Sequence, residues 1–325
     1  MAIGERLRTL AQDAWKVWCG FWFENECDAR IRVLRVALAG LLLVFYLNVL
    51  PDFKMLYTED GILRAGLIED VFPMTGRFSV FNYFTSDRAI YFSYGLLMVS
   101  FLSMVLGFLP RISAIVAFLL HISFIHRNVT AVFGIDLIAT FFLLYLCLTN
   151  TPKRGVQQSE FSRTLQSIAL RLVQIQLCIV YAFSGWEKLK GGSWWRGDAL
   201  WYVLSNPQLA RLDFSWTASF PALLALMTYS TLLWEMYFPV LIWFPKLRRS
   251  MLIGGVMLHG GIALLISLPF FSLIMLSSYS GFLSEKEALA IEDLGAKLLG
   301  RLLPWKRSKA ASPQPALVGA VLSKN

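Results

Sequence analysis

The chain has 325 residues, of which 57% are hydrophobic and 16% are charged, and its mean hydropathy is +0.58. Soluble domains have about 25% charged residues, so this composition excludes an ordinary soluble protein and predicts an integral membrane protein. The net charge of +9 lies in short clusters between apolar stretches, which is typical of membrane-protein loops and does not indicate binding to nucleic acid.

The apolar stretches are continuous and do not alternate, which predicts an all-α, polytopic helical bundle. Residues 1–29 predict an amphipathic segment, either on the membrane surface or packed as a cap on the bundle. Residues 30–285 predict a transmembrane domain of about eight segments, with seven as the alternative. Residues 286–325 predict an amphipathic surface helix and then a disordered tail. Two long connections, 51–88 and 188–219, link the segments. The predicted segments are 33–50, 89–109, 112–125, 131–148, 166–187, 220–244 and the stretch 250–283, which Pro269 divides.

Most of the 30 lysines and arginines fall on the side of the two termini when eight crossings are assumed. Basic residues are retained on the cytoplasmic side of membrane proteins. We therefore expect a multi-pass protein of the cell membrane, in a bacterium its cytoplasmic membrane, with both termini in the cytoplasm. The two long connections and Lys188 would then share the outer face.

Lys188 ends the apolar stretch 166–187, and two interpretations of it remain open. Its ammonium either extends to the lipid headgroups or lies beside a hydrophobic pocket, where loss of water favours a neutral amine that can act as a base. Gly185 permits close approach by a neighbouring helix or a ligand. An interfacial belt or the walls of a site for a flat aromatic ligand would explain the nearby aromatic residues Trp186, Trp194, Trp195, Trp201, Tyr202 and Trp216.

Other polar side chains lie within apolar stretches, where burial is costly and often functional. His259 is either a hydrogen-bonded structural residue or one that orients a ligand. The carboxylate of Glu235 needs a partner or a proton, and we predict Arg171 as that partner, with Gln174 adding a hydrogen bond.

Arg127 and Asn128 lie at a predicted helix boundary, and Asp136 follows about two turns later. They either anchor the chain at the interface through an ion pair or line a site. The histidines lack acidic partners at ligand spacing, so no metal is expected. The four cysteines form no CxxC pattern, which supports neither a disulfide framework nor a zinc site.

Several segments together resemble the HTTM family, the horizontally transferred transmembrane domain shared with vitamin K-dependent gamma-carboxylase. The resemblance covers about residues 25–285 and is most specific at the helix that ends at Lys188. The segments that carry it are Arg32-Val33-Leu34-Arg35, Tyr57-Thr58-Glu59-Asp60-Gly61-Ile62-Leu63, His126-Arg127-Asn128 with Asp136, Gln176 to Leu189, and Glu235 to Arg249 followed by His259.

The resemblance implies that Lys188 acts as the base that deprotonates a reduced quinone similar to vitamin K hydroquinone. Oxygen then yields an epoxide and a strong base, which removes a proton from a substrate glutamate, and CO2 traps the carbanion. It also implies that His259 orients the cofactor and that Tyr181, Gly185, Trp186 and Trp194 bind it. The Trp-Asn-Asn-His segment of the carboxylases has no clear counterpart here, and no large propeptide-binding domain is expected.

The residues and the resemblance leave three functions open. The first is a quinol-dependent carboxylase or epoxidase-like lyase acting on a peptide or small substrate. The second is a non-catalytic membrane protein for the maturation of, or immunity to, a secreted peptide, since a peptide-maturation protein is known in the HTTM family. A transporter is the weakest, because no inverted repeat is visible. The expected partners are membrane lipids and a small secreted peptide or a thiol-redox protein.

Overall fold

The computed structural model describes residues 2–24, 27–63, 78–151 and 154–302. Regular structure in these ranges is helical apart from a single β-bridge between Ala210 and Ile266, which confirms the all-α prediction for them. The central part of the connection 51–88, residues 64–77, and the predicted disordered tail from 306 lie outside the described residues.

The α-helices occur close to the predicted segments. In chain order they are α1 (Ala2–Phe23), α2 (Asp28–Val49), α3 (Phe53–Tyr57), α4 (Asp87–Leu106), α5 (Pro110–Arg127), α6 (Gly134–Cys147), α7 (Glu160–Leu189), α8 (Gly192–Arg196), α9 (Ala199–Leu204), α10 (Pro221–Leu241), α11 (Pro245–Leu265), α12 (Pro269–Ser278) and α13 (Glu285–Leu302).

Proline sets the first turn of four of these helices, where its missing N–H leaves no intrahelical bond unmade. The four residues are Pro110, Pro221, Pro245 and Pro269. Pro269 therefore divides the stretch 250–283 as predicted. Helix α12 is only about 15 Å long at about 1.5 Å per residue, which is half of a hydrocarbon core of about 30 Å.

The long helices run back and forth between two ends of one bundle. At one end, here called the basic end, arginines bind carbonyl groups near the end of α6. Arg35 Nη1 donates to the carbonyl of Thr151 at 3.1 Å, and Arg111 Nη2 donates to that of Leu148 at 2.9 Å. The bond to Leu148, the residue directly after α6, satisfies a carbonyl that the helix end leaves without a partner.

Helix α13 is also fixed at the basic end. Arg32 Nε donates to Glu292 Oε1 at 2.7 Å, and Arg154 Nη1 lies 2.7 Å from Asp293 Oδ1. Its first turn carries a capping box: the backbone N–H and hydroxyl of Ser284 both donate to Glu287. The predicted C-terminal amphipathic segment thus contains a helix that lies across the start of α2.

The opposite end of the bundle holds the two long connections. Arg127 at the end of α5 pairs with Glu59, which follows α3. The β-bridge between Ala210 and Ile266 joins the connection 188–219 to the end of α11. Lys188 is the last basic residue of α7, so it lies at this end.

The core is apolar, and much of the outer surface is apolar too. Large exposed side chains of α4 and α10 include Phe92, Val99, Leu106, Leu226 and Val240. Apolar surface on this scale marks contact with a membrane or a partner. Three segments of the described chain are long and apolar enough to cross a membrane: Asp28–Tyr57, Asp87–Leu106 and Glu160–Leu189. The eight crossings and the side of the termini stay predictions.

Helix α1 packs on the bundle by its last turn. Ser167 Oγ donates to the carbonyl of Trp22 at 2.7 Å, and Arg171 Nε donates to that of Phe21 at 2.6 Å. Earlier positions of α1 keep large apolar side chains exposed, namely Leu7, Leu10, Trp15 and Trp18. The last turn of α1 therefore packs on the bundle as a cap would, and the membrane-surface helix stays a prediction.

Candidate functional site

Lys188 and Glu235 form an ion pair between α7 and α10. The Lys188 Nζ atom lies 2.7 Å from Glu235 Oε2 and donates to Ser184 Oγ at 2.7 Å. The two charged side chains are 21% and 9% exposed, so the pair is largely withdrawn from water. The two charges therefore attract each other directly across 2.7 Å, while Glu235 Oε2 accepts no hydrogen bond of standard geometry from the described residues.

A glycine allows these two helices to approach each other. A Cβ atom on Gly185 would lie 2.7 Å from Met236 Sδ, closer than packing permits. Glycine at this position therefore serves helix contact. Of the two roles open for Gly185, the structure shows the neighbouring helix.

The turn after α7 places an aromatic ring beside the Lys188–Glu235 pair. Helix α8 begins at Gly192, and the backbone N–H of Trp194 donates to the carbonyl of Gly191 at 3.1 Å. The turn places Lys188 Nζ 5.2 Å from the centroid of the Trp194 ring, within the range of a cation–π interaction. Trp194 thus lies beside the ammonium, as its predicted role in a site requires.

Trp186 lies elsewhere. It is exposed, and its ring is 5.9 Å from Lys190 Nζ. Lys190 in turn forms a surface ion pair with Glu187, at 2.6 Å. Trp186 and Lys190 therefore belong to the exposed face of α7, and the structure does not bring Trp186 to the Lys188–Glu235 pair.

A buried chain of polar groups lies deeper in the bundle. Tyr181 Oη is 2.7 Å from His259 Nε2 and 2.6 Å from Tyr279 Oη. Helix α11 has a glycine at Gly255, one turn before His259, where a Cβ atom would overlap the hydroxyl of Tyr279. The Nδ1 atom of His259 is buried and has no hydrogen-bond partner among the described residues. His259 is thus a hydrogen-bonded residue with one nitrogen left for a ligand or a water molecule.

The polar chain and the ion pair lie at different depths. Tyr181 precedes Lys188 on α7 by about 10 Å at about 1.5 Å per residue. The ring of Tyr181 packs against Trp234 and Phe238, which flank Glu235 on α10, with centroid distances of 4.8 and 4.4 Å. The two groups form one polar region inside an apolar bundle.

The predicted pairing of Glu235 with Arg171 is wrong. Arg171 Nη1 donates to Gln174 Oε1 at 2.8 Å, and Gln174 Nε2 donates to the carbonyl of Gly281 at 2.7 Å. The Arg171 guanidinium also lies 4.2 Å from the centroid of the Phe21 ring. Arg171 precedes Lys188 by about 25 Å along α7, so its height in the bundle is that of the basic end.

Arg127 and Asn128 connect α5 to the segment after α3. Arg127 Nη2 lies 3.0 Å from Glu59 Oε1, and Asn128 Nδ2 donates to the carbonyl of Leu56 at 2.9 Å. Asp136 Oδ2 accepts from the backbone N–H of Phe133 at 2.8 Å and so caps its own helix. Of the two interpretations, these contacts match the structural anchor with an ion pair.

Two polar residues inside the bundle were not singled out from the sequence. His121 is buried, with Nδ1 2.8 Å from Tyr46 Oη and Nε2 3.1 Å from the carbonyl oxygen of Asp136. Tyr279 belongs to the buried chain above. A histidine inside an apolar stretch, the signal used for His259, also occurs at His121. Only the fold brings Tyr279 to Tyr181.

The described residues form no cluster of three histidine, cysteine or acidic side chains that could hold a metal ion. An apolar cleft of about 680 Å³ lies between α2, α11, α12 and the start of α13. Tyr279 is one of its lining residues, whereas neither Lys188 nor Glu235 lines it. The hydrophobic hollow predicted beside Lys188 is therefore not this cleft.

The sequence matches no protein-family model, and no solved structure matches the chain. It is similar to the sporulation-delaying protein SdpB of Bacillus subtilis (strain 168), with 25% identity over 197 residues. The aligned part covers 56% of this chain and 61% of that protein, so the chain spans about three fifths of the length of this relative. The resemblance to the HTTM family stays a prediction.

Proposed function

We propose that the chain is an integral membrane protein of the HTTM type in which the Lys188–Glu235 pair takes a proton from a hydroxyl group of a reduced quinone. The observation that carries this proposal is the 2.7 Å distance between Lys188 Nζ and Glu235 Oε2 at the end of a long apolar helix. An ammonium and a carboxylate in contact and withdrawn from bulk water can act together as an acid–base pair.

The membrane placement is supported by the apolar outer surface and by the alternation of the helices between two ends. In the proposed topology α2, α4, α5, α6, α7, α10 and α11 cross the membrane, and α12 with the turn Tyr279–Phe282 makes the eighth crossing. The arginines then lie at the cytoplasmic end. Lys188 and Glu235 lie at the outer end, where the rim of the bundle meets the lipid headgroups.

The proposed proton transfer uses both members of the pair. When the ammonium proton passes to Glu235, the amine of Lys188 becomes free to take a proton from the substrate hydroxyl, and the carboxyl keeps the first proton. Trp194 offers an aromatic face next to the amine, which suits a flat ring, and Ser184 holds Lys188 in place. Once bound, a reduced quinone would supply the electrons for oxygen-dependent epoxidation, as in the carboxylases that the sequence resembles.

The test is quinol oxidation by the purified protein in lipid nanodiscs. Reduced naphthoquinones are added under oxygen, and quinone formation, epoxide and incorporation of labelled CO2 into added glutamyl peptides are followed. Lys188→Ala and Glu235→Gln are compared with Lys190→Ala, a matched control because Lys190 lies on the exposed face of the same helix end.

The proposal expects quinol oxidation above the protein-free rate in the wild type and in Lys190→Ala. It expects a loss of at least a hundredfold in Lys188→Ala, since general acid–base groups contribute about 10² to 10⁴ in rate. Turnover that survives in Lys188→Ala would exclude Lys188 as the base. No turnover with any quinol in the wild type would contradict the enzymatic function.

A second candidate is a non-catalytic role in the maturation of, or immunity to, a secreted peptide. The similarity to a sporulation-delaying protein favours it. A protein of this kind would oxidise no quinol. It would still protect cells that produce the peptide, or yield the mature peptide, when Lys188 is replaced by alanine.

A further inference from the structure

The apolar cleft has one long wall on α2. Residues at spacings of three and four share one face of a helix, and the cleft follows such a face from one end of α2 towards its middle. The residues of this wall are Val33, Ala37, Gly40, Leu41 and Val44. Leu252 and Val256 of α11 and Ile291 of α13 stand among the lining residues on the other sides. The lining is almost wholly apolar, so it suits a hydrocarbon chain.

The length of the cleft matches one leaflet of a bilayer. From Val33 to Val44 the α2 axis rises about 16 Å at about 1.5 Å per residue. Half of a hydrocarbon core of about 30 Å is about 15 Å. A single acyl chain anchored at one membrane surface has this reach.

The cleft begins at the basic end, where cations outnumber acids. Arg30 lies one turn before Val33 on the same face of α2, and Arg249 lies one turn before Leu252 on α11. Two acids face them: Glu285, 3.6 Å from Arg30, and Glu287, 3.3 Å from Arg249. Next to this mouth in the chain, Lys246, Arg248 and Lys286 add positive charge, and Glu292, which pairs with Arg32 at 2.7 Å, follows the lining residue Ile291.

We propose that this cleft binds one acyl chain of an anionic phospholipid from the leaflet at the basic end, with the phosphate of that lipid beside Arg249. Charge at one end of the cleft and hydrocarbon along the rest is the pattern of a phospholipid. The proposal rests on the membrane placement in the proposed function, and it is independent of the quinol chemistry.

The test is lipid retention by the full-length protein, measured by native mass spectrometry after exchange in detergent with dioleoylphosphatidylglycerol or dioleoylphosphatidylcholine. Ala37→Trp fills the cleft from α2, whereas Val36→Trp adds the same ring at the neighbouring exposed position outside it. Arg249→Gln removes one charge at the mouth, and Lys190→Gln removes one at the opposite end.

The wild type is expected to retain one phosphatidylglycerol more strongly than phosphatidylcholine. Ala37→Trp should lower its retention at least tenfold, whereas Val36→Trp and Lys190→Gln should match the wild type. Arg249→Gln should reduce the preference for the anionic lipid about fivefold, the contribution of one basic residue at a lipid surface. If Ala37→Trp melts at the same temperature as Val36→Trp, then Ala37→Trp is folded.

Equal retention of phosphatidylglycerol by Ala37→Trp and the wild type would overturn the proposal, and so would equal retention of the two lipids by the wild type. A wild-type dimer that Ala37→Trp converts to a monomer would assign the cleft to a second copy of the chain. Because no quinol is present, these outcomes are independent of those of the oxidation assay.

Discussion

Lys188 and Glu235 compensate each other's charge, which lowers the free-energy cost of burying either side chain. A charge that loses its water needs a counter-charge at hydrogen-bonding distance, and removal of one partner leaves the other uncompensated. The exposed pair of Lys190 and Glu187, on the same helix end, lacks this dependence because water solvates both members. The two lysines therefore differ in what their removal does to the fold.

We predict that Lys188→Met lowers the free energy of unfolding by about 1–3 kcal/mol. This is below the 3–5 kcal/mol of a fully buried pair, since Lys188 is partly exposed. Lys190→Met should change stability by less than about 0.5 kcal/mol. Thermal unfolding in detergent measures both. Equal effects of the two substitutions would show that the Lys188 pair is a surface contact.

The double variant Lys188→Met/Glu235→Gln tests the coupling directly. Glutamine removes the buried negative charge that Lys188→Met leaves without a partner. We expect the double variant to be less destabilised than the sum of the two single variants, by about 0.5–3 kcal/mol, because contacting residues are not additive. Strict additivity would contradict a direct interaction between Lys188 and Glu235.

At the scale of helices, α11 depends on a small residue at one position. A Cβ atom at Gly255 would overlap the hydroxyl of Tyr279, whereas one at Gly260 on the same helix would meet open space. The packing of α11 against the turn Tyr279–Phe282 thus depends on Gly255. The helical propensity of alanine over glycine applies equally to both sites.

We predict opposite signs for Gly255→Ala and Gly260→Ala. The first should lower the free energy of unfolding by about 1–3 kcal/mol through overpacking. The second should leave it unchanged or raise it by up to about 1 kcal/mol. Unfolding in denaturant measures both. Ring carbons of Tyr279 would also lie within 2.7 Å of that Cβ atom, so the matching background is Tyr279→Leu, which removes the ring and the hydroxyl. Gly255→Ala should cost less in this background than in the wild type, and an equal cost would mean that the Tyr279 side chain is not the obstacle.

Helix α13 is held at its start by a titratable group outside the membrane. Hydrogen bonds from the backbone N–H and hydroxyl of Ser284 lower the pKa of Glu287 from its ordinary value of 4.5, and Arg249 lowers it further. A carboxylate with a lowered pKa in the folded state contributes stability that is complete above the unfolded pKa. That contribution disappears as the pH falls through the folded pKa.

We therefore predict that α13 loosens below about pH 4.5 before the rest of the bundle does. The protection of its amides against hydrogen exchange, taken relative to the intrinsic exchange rate at each pH, should fall over that interval in the wild type. In Glu287→Gln, exchange should be faster already at pH 7 and should depend less on pH. An unchanged pH profile in this variant would assign the effect to the other acids of α13.

In the whole molecule, some features of the bundle follow from short stretches of sequence, and others depend on contacts between helices that are distant in the chain. Continuous apolar stretches and Pro269 are local signals, and they predicted the helices α4 to α7 and the break between α11 and α12. Contacts between helices depend on rotation and height, which one sequence does not contain. The sequence alone therefore predicted Arg171 as the partner of Glu235. The rise of about 25 Å along α7 between Arg171 and Lys188 places Arg171 at the basic end.

The site was predictable in part for the same reason. Lys188, Glu235 and His259 stand out because a charge or an imidazole interrupts an apolar stretch. The partner of each depends on which faces of α7, α10 and α11 meet. Tyr279 carries no such signal, because tyrosine is common at the ends of membrane helices.

In the proposed topology the helices cross a membrane and present the Lys188–Glu235 pair on the face opposite to the basic end. The most direct test of this topology labels single cysteines with a membrane-impermeant maleimide in intact bacteria. The four native cysteines are replaced by alanine, and Gln208→Cys and Gln157→Cys mark the two ends. We predict labelling of Gln208→Cys in intact cells and of Gln157→Cys only after permeabilisation. Labelling of both positions from the same side would contradict the proposed topology.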